Sequence, residues 1–135
     1  MQTSLQPRVH AAVLKVFLVE DSAEIRERLT TLLAPVAGLS LTGFADRADT
    51  AVTQILAQRP DAVLLDLNLA SGSGIDVLAE LQAQAPEIDV FVLTNFANAQ
   101  YRRRCTELGA RGFFDKSREF EKMLDAIAAR AAQAH

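Results

Sequence analysis

The chain has 135 residues, half of them hydrophobic, and its 14 Lys and Arg against 17 Asp and Glu give a net charge of −3. These values predict one domain with its own core and argue against a nucleic-acid binder, which usually carries a basic surplus. Cys105 is the single cysteine, so no internal disulfide can form. The apolar stretch at residues 13–19 is too short to span a bilayer, and no signal peptide precedes it. We therefore expect a cytoplasmic protein that does not contact a membrane.

Short apolar runs alternate with amphipathic stretches along the chain. The runs are rich in β-branched and aromatic residues, which predicts five strands, and each is followed by apolar residues at helical spacing. The predicted strands lie at residues 13–19, 39–45, 61–66, 88–94 and 111–115. Residues 1–12 are predicted to be a flexible leader and residues 13–132 the domain, with no linker to an output domain after Ala132.

The strand–helix alternation predicts an α/β fold. Short joins between the elements imply a parallel sheet covered by helices on both faces. The nearly unbroken apolar strands agree with burial on both sides, and the crossovers should be right-handed.

Polar residues stand where three of the predicted strands end and just beyond the fifth strand. Asp66 ends the third strand, Glu20 and Asp21 the first and Thr94 the fourth, while Lys116 lies just past the fifth. Ligands of open α/β sheets bind beyond the carboxyl ends of the strands. We therefore expect these side chains to converge at one edge of the sheet.

The convergent residues suit one kind of chemistry. Because no histidine lies near a strand end, the ligands are all oxygens, which favours a hard ion such as Mg²⁺. Lys116 supplies a positive charge and Thr94 a hydroxyl, which predicts a phosphoryl pocket around a nucleophilic carboxylate. Taken singly, Asp66 is more often a turn residue, Asp21 and Glu24 form a fair capping box, and a lysine is usually a surface residue. Their joint placement favours the functional interpretation.

Four segments resemble the receiver domain of bacterial two-component response regulators over roughly Leu14 to Ala129. They are VFLVEDS, RPDAVLLDLNL, VLT and GARGFFDKS. The resemblance implies a flavodoxin-like (βα)5 doubly wound sheet in three layers, with strand order 2-1-3-4-5.

The resemblance also implies the chemistry at the acids. Asp66 would accept a phosphoryl group from a histidine kinase or a His-phosphotransfer protein. Asp21 and Asp66 would bind Mg²⁺ by their side chains, Asn68 by its backbone carbonyl, and Glu20 through a metal-bound water.

Three further residues take signalling roles by resemblance. Thr94 would donate a hydrogen bond to the phosphoryl group, Lys116 would pair with it, and Phe113 falls at the position of the family's switch aromatic. The surface of the fourth helix, fifth strand and fifth helix would bind a downstream protein, or the phosphoryl group would be passed onward in a phosphorelay. On helical spacing alone, Tyr101 and Cys105 of the fourth helix are packing residues, and the arginines between them form a solvated face.

The chain departs from the family pattern at three positions. Ser117 stands where a proline, often cis, usually follows the lysine. Since a cis non-proline bond costs about 3–4 kcal/mol, we expect a trans bond, with Ser117 capping the last helix and Glu119 in its first turn. Ala70 replaces a common proline, and Asn95 could crowd the site and slow the loss of phosphate.

Three alternatives stay open beside a stand-alone receiver that is not an enzyme. One is a receiver that works only as an interaction scaffold, without phosphorylation. Another is the receiver fragment of a longer DNA-binding regulator. The third is a phosphatase like the haloacid dehalogenases, which needs a second acid where this chain has Asn68.

Overall fold

The computed structural model describes residues 13–133, so the predicted leader over residues 1–12 lies outside the described residues. Strands and helices alternate as the sequence predicts. The elements are β1 (Leu14–Val19), α1 (Ala23–Leu33), β2 (Leu39–Ala45), α2 (Ala48–Gln58), β3 (Ala62–Leu65), α3 (Gly74–Gln84), β4 (Asp89–Thr94), α4 (Ala99–Glu107), β5 (Gly112–Asp115) and α5 (Phe120–Ala132).

The five strands form one parallel sheet in the order β2-β1-β3-β4-β5. This is the predicted strand order, and the α/β prediction is confirmed. The order reverses at β1, so the connections to the two sides diverge between β1 and β3. In open sheets this divergence leaves a crevice beyond the carboxyl ends of the strands.

Alternate residues of the strands enter two separate cores. Phe17 and Val19 of β1 join one core, which α2, α3 and α4 cover. Val16 and Leu18 join the other, which α1 and α5 cover. The result is three layers, as the apolar strands predict, because each central strand needs an apolar cover on both faces. Among residues 13–133 no helix is long and apolar enough to cross a membrane.

The helix caps differ from the predictions at two places. Ser22 caps α1, its Oγ accepting a hydrogen bond from the Ile25 N–H at 3.2 Å, so the capping box of Asp21 and Glu24 is wrong. Ser117 does not cap α5, and Glu119 precedes that helix rather than lying in its first turn. The reason is that the Ser117 N–H donates to Asp115 Oδ1 at 2.8 Å, which holds Ser117 in the turn before the helix.

Two other features were not predicted. A short antiparallel hairpin pairs Asn68–Leu69 with Gly72–Ser73 between β3 and α3. Tyr101 is 40% exposed, and its ring lies tilted beside that of Phe96 with centroids 6.3 Å apart. Its assignment as a packing residue is therefore wrong. Cys105, one turn later, is fully buried as expected.

Candidate functional site

The acidic pair follows β1 directly and is held by backbone groups. The Glu20 N–H donates to the Ala45 carbonyl at 3.1 Å, which continues the β1–β2 pairing one residue past the strand. Its buried carboxylate accepts from the Ser22 N–H at 3.1 Å. Asp21 Oδ2 accepts from the Ala70 N–H at 2.9 Å, so this acid reaches across to the turn after β3.

Asp66 ends β3 and faces the acidic pair. Its N–H donates to the Val19 carbonyl at 3.0 Å, and its Oδ1 accepts from the Asn68 N–H at 3.2 Å. Gly74 starts α3 beside it, where a Cβ would lie 2.6 Å from Leu67 Cα. A residue with a side chain there would push the helix away from the backbone that carries Asp66.

Lys116 follows the edge strand β5, and its side chain extends back to the acids at the ends of β1 and β3. Its Nζ lies 2.8 Å from Glu20 Oε1 and 3.3 Å from Asp66 Oδ2, and its side chain is only 11% exposed. The Lys116 N–H donates to the Thr94 carbonyl at 2.9 Å, which anchors the residue next to β4. The peptide bond to Ser117 is trans, as expected.

The charges at this edge are unbalanced. One oxygen from each of Glu20, Asp21 and Asp66 lies within 4.8 Å of the others, so the three carboxylates and the Lys116 ammonium carry a formal charge of −2. Burial raises the pKa of Glu20 and that of Asp66, although Lys116 lowers both. Burial by itself would lower the pKa of Lys116, but the hydrogen bond to Glu20 and the charge of Asp66 outweigh it and raise that pKa.

These donors fit a hard divalent cation. They are carboxylate oxygens, the ligand type that Mg²⁺ prefers, and a charge of +2 would balance the formal charge of the cluster. Oxygens within 4.8 Å of one another are close enough to share one ion directly or through its water ligands, since Mg²⁺ usually keeps several waters.

Thr94 ends β4 and Phe113 lies in β5, the two strands on the other side of β3 from β1. Thr94 is fully buried, and its Oγ accepts from the Phe96 N–H at 3.0 Å, which leaves the hydroxyl proton free to point elsewhere. Phe113 is 7% exposed and packs in the core under α4. Asn95 is exposed, and its crowding of the site stays a prediction.

Arg102 contacts Phe113, although the basic cluster of α4 was expected to be a solvated face. Its guanidinium lies 4.8 Å from the centroid of the Phe113 ring, and Nη1 donates to the Phe113 carbonyl at 3.0 Å. No spacing in the sequence distinguishes this arginine from its two neighbours.

A family model described as the response regulator receiver domain matches residues 16–128. The chain belongs to this family. Receiver domains are phosphoacceptors that bind Mg²⁺ at an acidic pocket and interact with histidine kinases or phosphotransfer proteins, and this receiver carries such an acidic cluster.

Individual relatives support the same assignment. The response regulator GacA of Pseudomonas aeruginosa is 30% identical over 115 residues, which span 85% of this receiver and 54% of GacA. The DNA-binding transcriptional activator DevR/DosR of Mycobacterium tuberculosis is 31% identical over 104 residues, 77% of this receiver and 48% of that protein. This receiver therefore spans about half the length of these curated relatives.

Solved structures agree on the fold. A chain of the CheX-CheY-BeF3-Mg+2 complex from Borrelia burgdorferi superposes with a TM-score of 0.82 at 21% identity, covering 91% of this receiver and 92% of that chain. At that identity the likeness shows the fold alone.

Proposed function

We propose that this receiver takes a phosphoryl group onto Asp66 from a histidine kinase or a His-phosphotransfer protein and passes the signal on by protein contact. One observation carries the proposal: the Lys116 ammonium lies between the buried carboxylates of Glu20 and Asp66, 2.8 and 3.3 Å away. A structural ion pair needs one acid. Here Lys116 pairs with both Glu20 and Asp66, and Asp21 lies close to them, so the mutual repulsion of the three carboxylates favours a cation-binding or phosphoryl-transfer role.

The transfer forms one bond to phosphorus and breaks another. An Asp66 carboxylate oxygen attacks phosphorus, the bond from phosphorus to the donor's nitrogen or oxygen breaks, and an acyl phosphate forms on Asp66. Lys116 pairs with one phosphoryl oxygen and the Thr94 hydroxyl donates to another. Mg²⁺ bound at this cluster would neutralise charge on the phosphoryl oxygens during transfer.

The proposed metal ligands are those that the receiver family implies. Asp21 and Asp66 would bind Mg²⁺ through their side chains, and Asn68 through its backbone carbonyl. Glu20 pairs with Lys116 and accepts from the Ser22 N–H, and it would contact the ion through a water.

The signal would leave through α4, β5 and α5. When Thr94 turns toward the phosphoryl group, space opens that favours the buried position of Phe113. An existing equilibrium between two forms of this surface then shifts, and a downstream protein binds the favoured form.

The experiment is phosphorylation by a small phosphodonor with Mg²⁺, followed by intact mass spectrometry. We expect the wild type to gain one phosphoryl group and Asp66→Asn to gain none. Asp125→Asn, which changes an exposed acid of α5, is the matched control and should label like the wild type. Labelling of Asp66→Asn would place the acceptor elsewhere. A wild type that never labels, even with candidate kinases, would favour the scaffold alternative.

The length of the relatives supports a second candidate for the whole protein. GacA and DevR/DosR are about twice as long as the matched segment, so this receiver could regulate DNA binding in a longer chain. The proposed chemistry at Asp66 is the same in both cases. An antibody against the receiver distinguishes them by the mass of the native protein in cell extracts.

A further inference from the structure

Arg102 of α4 contacts β5 and the residue directly before α5. Besides the ring and the carbonyl of Phe113 in β5, its Nη2 lies 3.3 Å from Glu119 Oε1, just before α5. The guanidinium therefore joins α4, β5 and the start of α5 through three different contacts. Arginine can make all three together because its planar group stacks on a ring and donates in several directions.

The contacts of Arg102 continue toward the phosphoacceptor site. The oxygen of Glu119 that pairs with Arg102 also accepts a hydrogen bond from the Asp115 N–H at 3.0 Å. This hydrogen bond and the charge of Arg102 lower the pKa of Glu119, so its carboxylate stays charged at neutral pH. Asp115 directly precedes Lys116. A displacement of Arg102 would therefore act through Glu119 on Asp115, the residue directly before the lysine that pairs with Asp66.

From these contacts we infer that Arg102 is a positioning residue that holds Phe113 in its buried position and so sets how far the switch is populated before phosphorylation. The inference rests on the proposed role of Phe113. The contact of the guanidinium with the Phe113 ring is made while the ring is buried, so it stabilises that form over one in which the ring turns outward. The hydrogen bond to the Phe113 carbonyl holds the guanidinium beside the ring. Arg102 is itself 47% exposed, so a partner docking on α4 can reach it.

The test uses the absence of tryptophan from the chain. Phe113→Trp introduces a single tryptophan, whose indole can be excited at wavelengths where Tyr101 does not absorb, and acrylamide quenching then reports the fraction of the indole that is exposed. Adding Arg102→Gln should raise the ratio of exposed to buried indole about two- to five-fold, the effect expected of losing an exposed cation–π contact. Arg103→Gln is the matched control, since Arg103 is exposed on the same helix and makes none of the three contacts.

Two variants separate positioning from general structure. Arg102→Lys keeps the charge but lacks the planar fork, so it should restore only part of the wild-type quenching. Glu119→Gln keeps an oxygen for the Asp115 N–H and removes the charge that pairs with Arg102, so it should raise quenching less than Arg102→Gln does. Urea unfolding of each variant shows whether quenching changes beyond any change in stability.

If Phe113→Trp does not fold, NMR of ¹³C-labelled phenylalanine in the otherwise wild-type chain gives the same readout through the Phe113 ring signal. Equal quenching or equal ring shifts in Arg102→Gln and Arg103→Gln would overturn the inference. These measurements need no phosphorylation, so they can succeed even if Asp66 is never labelled. Where Asp66 is phosphorylated, the difference in quenching or in ring shift between Arg102→Gln and the protein with Arg102 should become smaller.

Discussion

Replacing Lys116 by Met tests whether charge, rather than packing, holds the candidate site together. Methionine keeps most of the length of the side chain and removes the ammonium. Glu20, Asp21 and Asp66 would then lie within 4.8 Å of one another without a compensating cation. Removing one partner of a buried ion pair typically costs about 3–5 kcal/mol. We expect about 3 kcal/mol at neutral pH, the low end, because the carboxyls can take up protons.

The pH dependence gives this prediction its sign. Burial raises the pKa of Glu20 and Asp66 in the folded protein, and losing Lys116 raises both further because Lys116 lowers them. Between the ordinary carboxyl pKa of about 4 and these raised values, the folded variant binds more protons than the unfolded chain. Its stability therefore falls as pH rises through that window. The deficit of Lys116→Met should be small near pH 4 and complete at pH 7.

The measurement is urea unfolding followed by far-UV circular dichroism at several pH values. With an m-value of about 2 kcal/mol/M, a 3 kcal/mol deficit lowers the midpoint by about 1.5 M. Lys122→Met is the matched control, because that side chain is 73% exposed and its pair with Glu119 should contribute under about 1 kcal/mol. A deficit of the same size at pH 4 and pH 7 would refute the electrostatic argument and assign the effect to packing.

Two further predictions concern the metal and the start of α3. Asp66→Asn should stabilise the protein without Mg²⁺, because burial disfavours this carboxylate, and it should abolish any rise of Tm on adding Mg²⁺; calorimetry with and without the ion checks both, and an undiminished Mg²⁺ response would contradict the proposed ligand. Gly74→Ala should lower the free energy of unfolding by about 1–3 kcal/mol, because the new Cβ would lie 2.6 Å from Leu67 Cα. Urea unfolding measures this change, and an unchanged stability would show that α3 can shift to make room for the methyl group.

The fold could be predicted from the sequence because its signals are local and agree with one another. AVLL of β3 is apolar throughout and buried on both faces, as a central parallel strand requires. The convergence of Glu20, Asp66 and Lys116 followed from the same pattern, since parallel strands bring their carboxyl ends to one edge. The roles of these residues remain predictions that labelling and metal titration must test.

Features that depend on tertiary contacts could not be predicted from spacing. Helical periodicity placed Tyr101 and Cys105 on one face of α4. Only Cys105 is buried in the core, whereas Tyr101 is partly exposed and its ring lies near that of Phe96. Arg102 looked like its neighbours because the sequence does not show which arginine faces β5. The hairpin at Asn68–Leu69 consists of two-residue strands, too short to give an alternating pattern.

The turn after Lys116 shows how side chains can replace the proline that the family usually has there. The Ser117 N–H, which a proline would lack, donates to Asp115 Oδ1, and Glu119 accepts from the Asp115 N–H. The Lys116 N–H meanwhile donates to the Thr94 carbonyl. Three hydrogen bonds thus fix the backbone of this turn with a trans bond. Lys116 still contacts both Glu20 and Asp66, so the orientation of its side chain does not require a proline after it. Hydrogen bonds of Asp115 and Glu119 hold the turn in place of the proline.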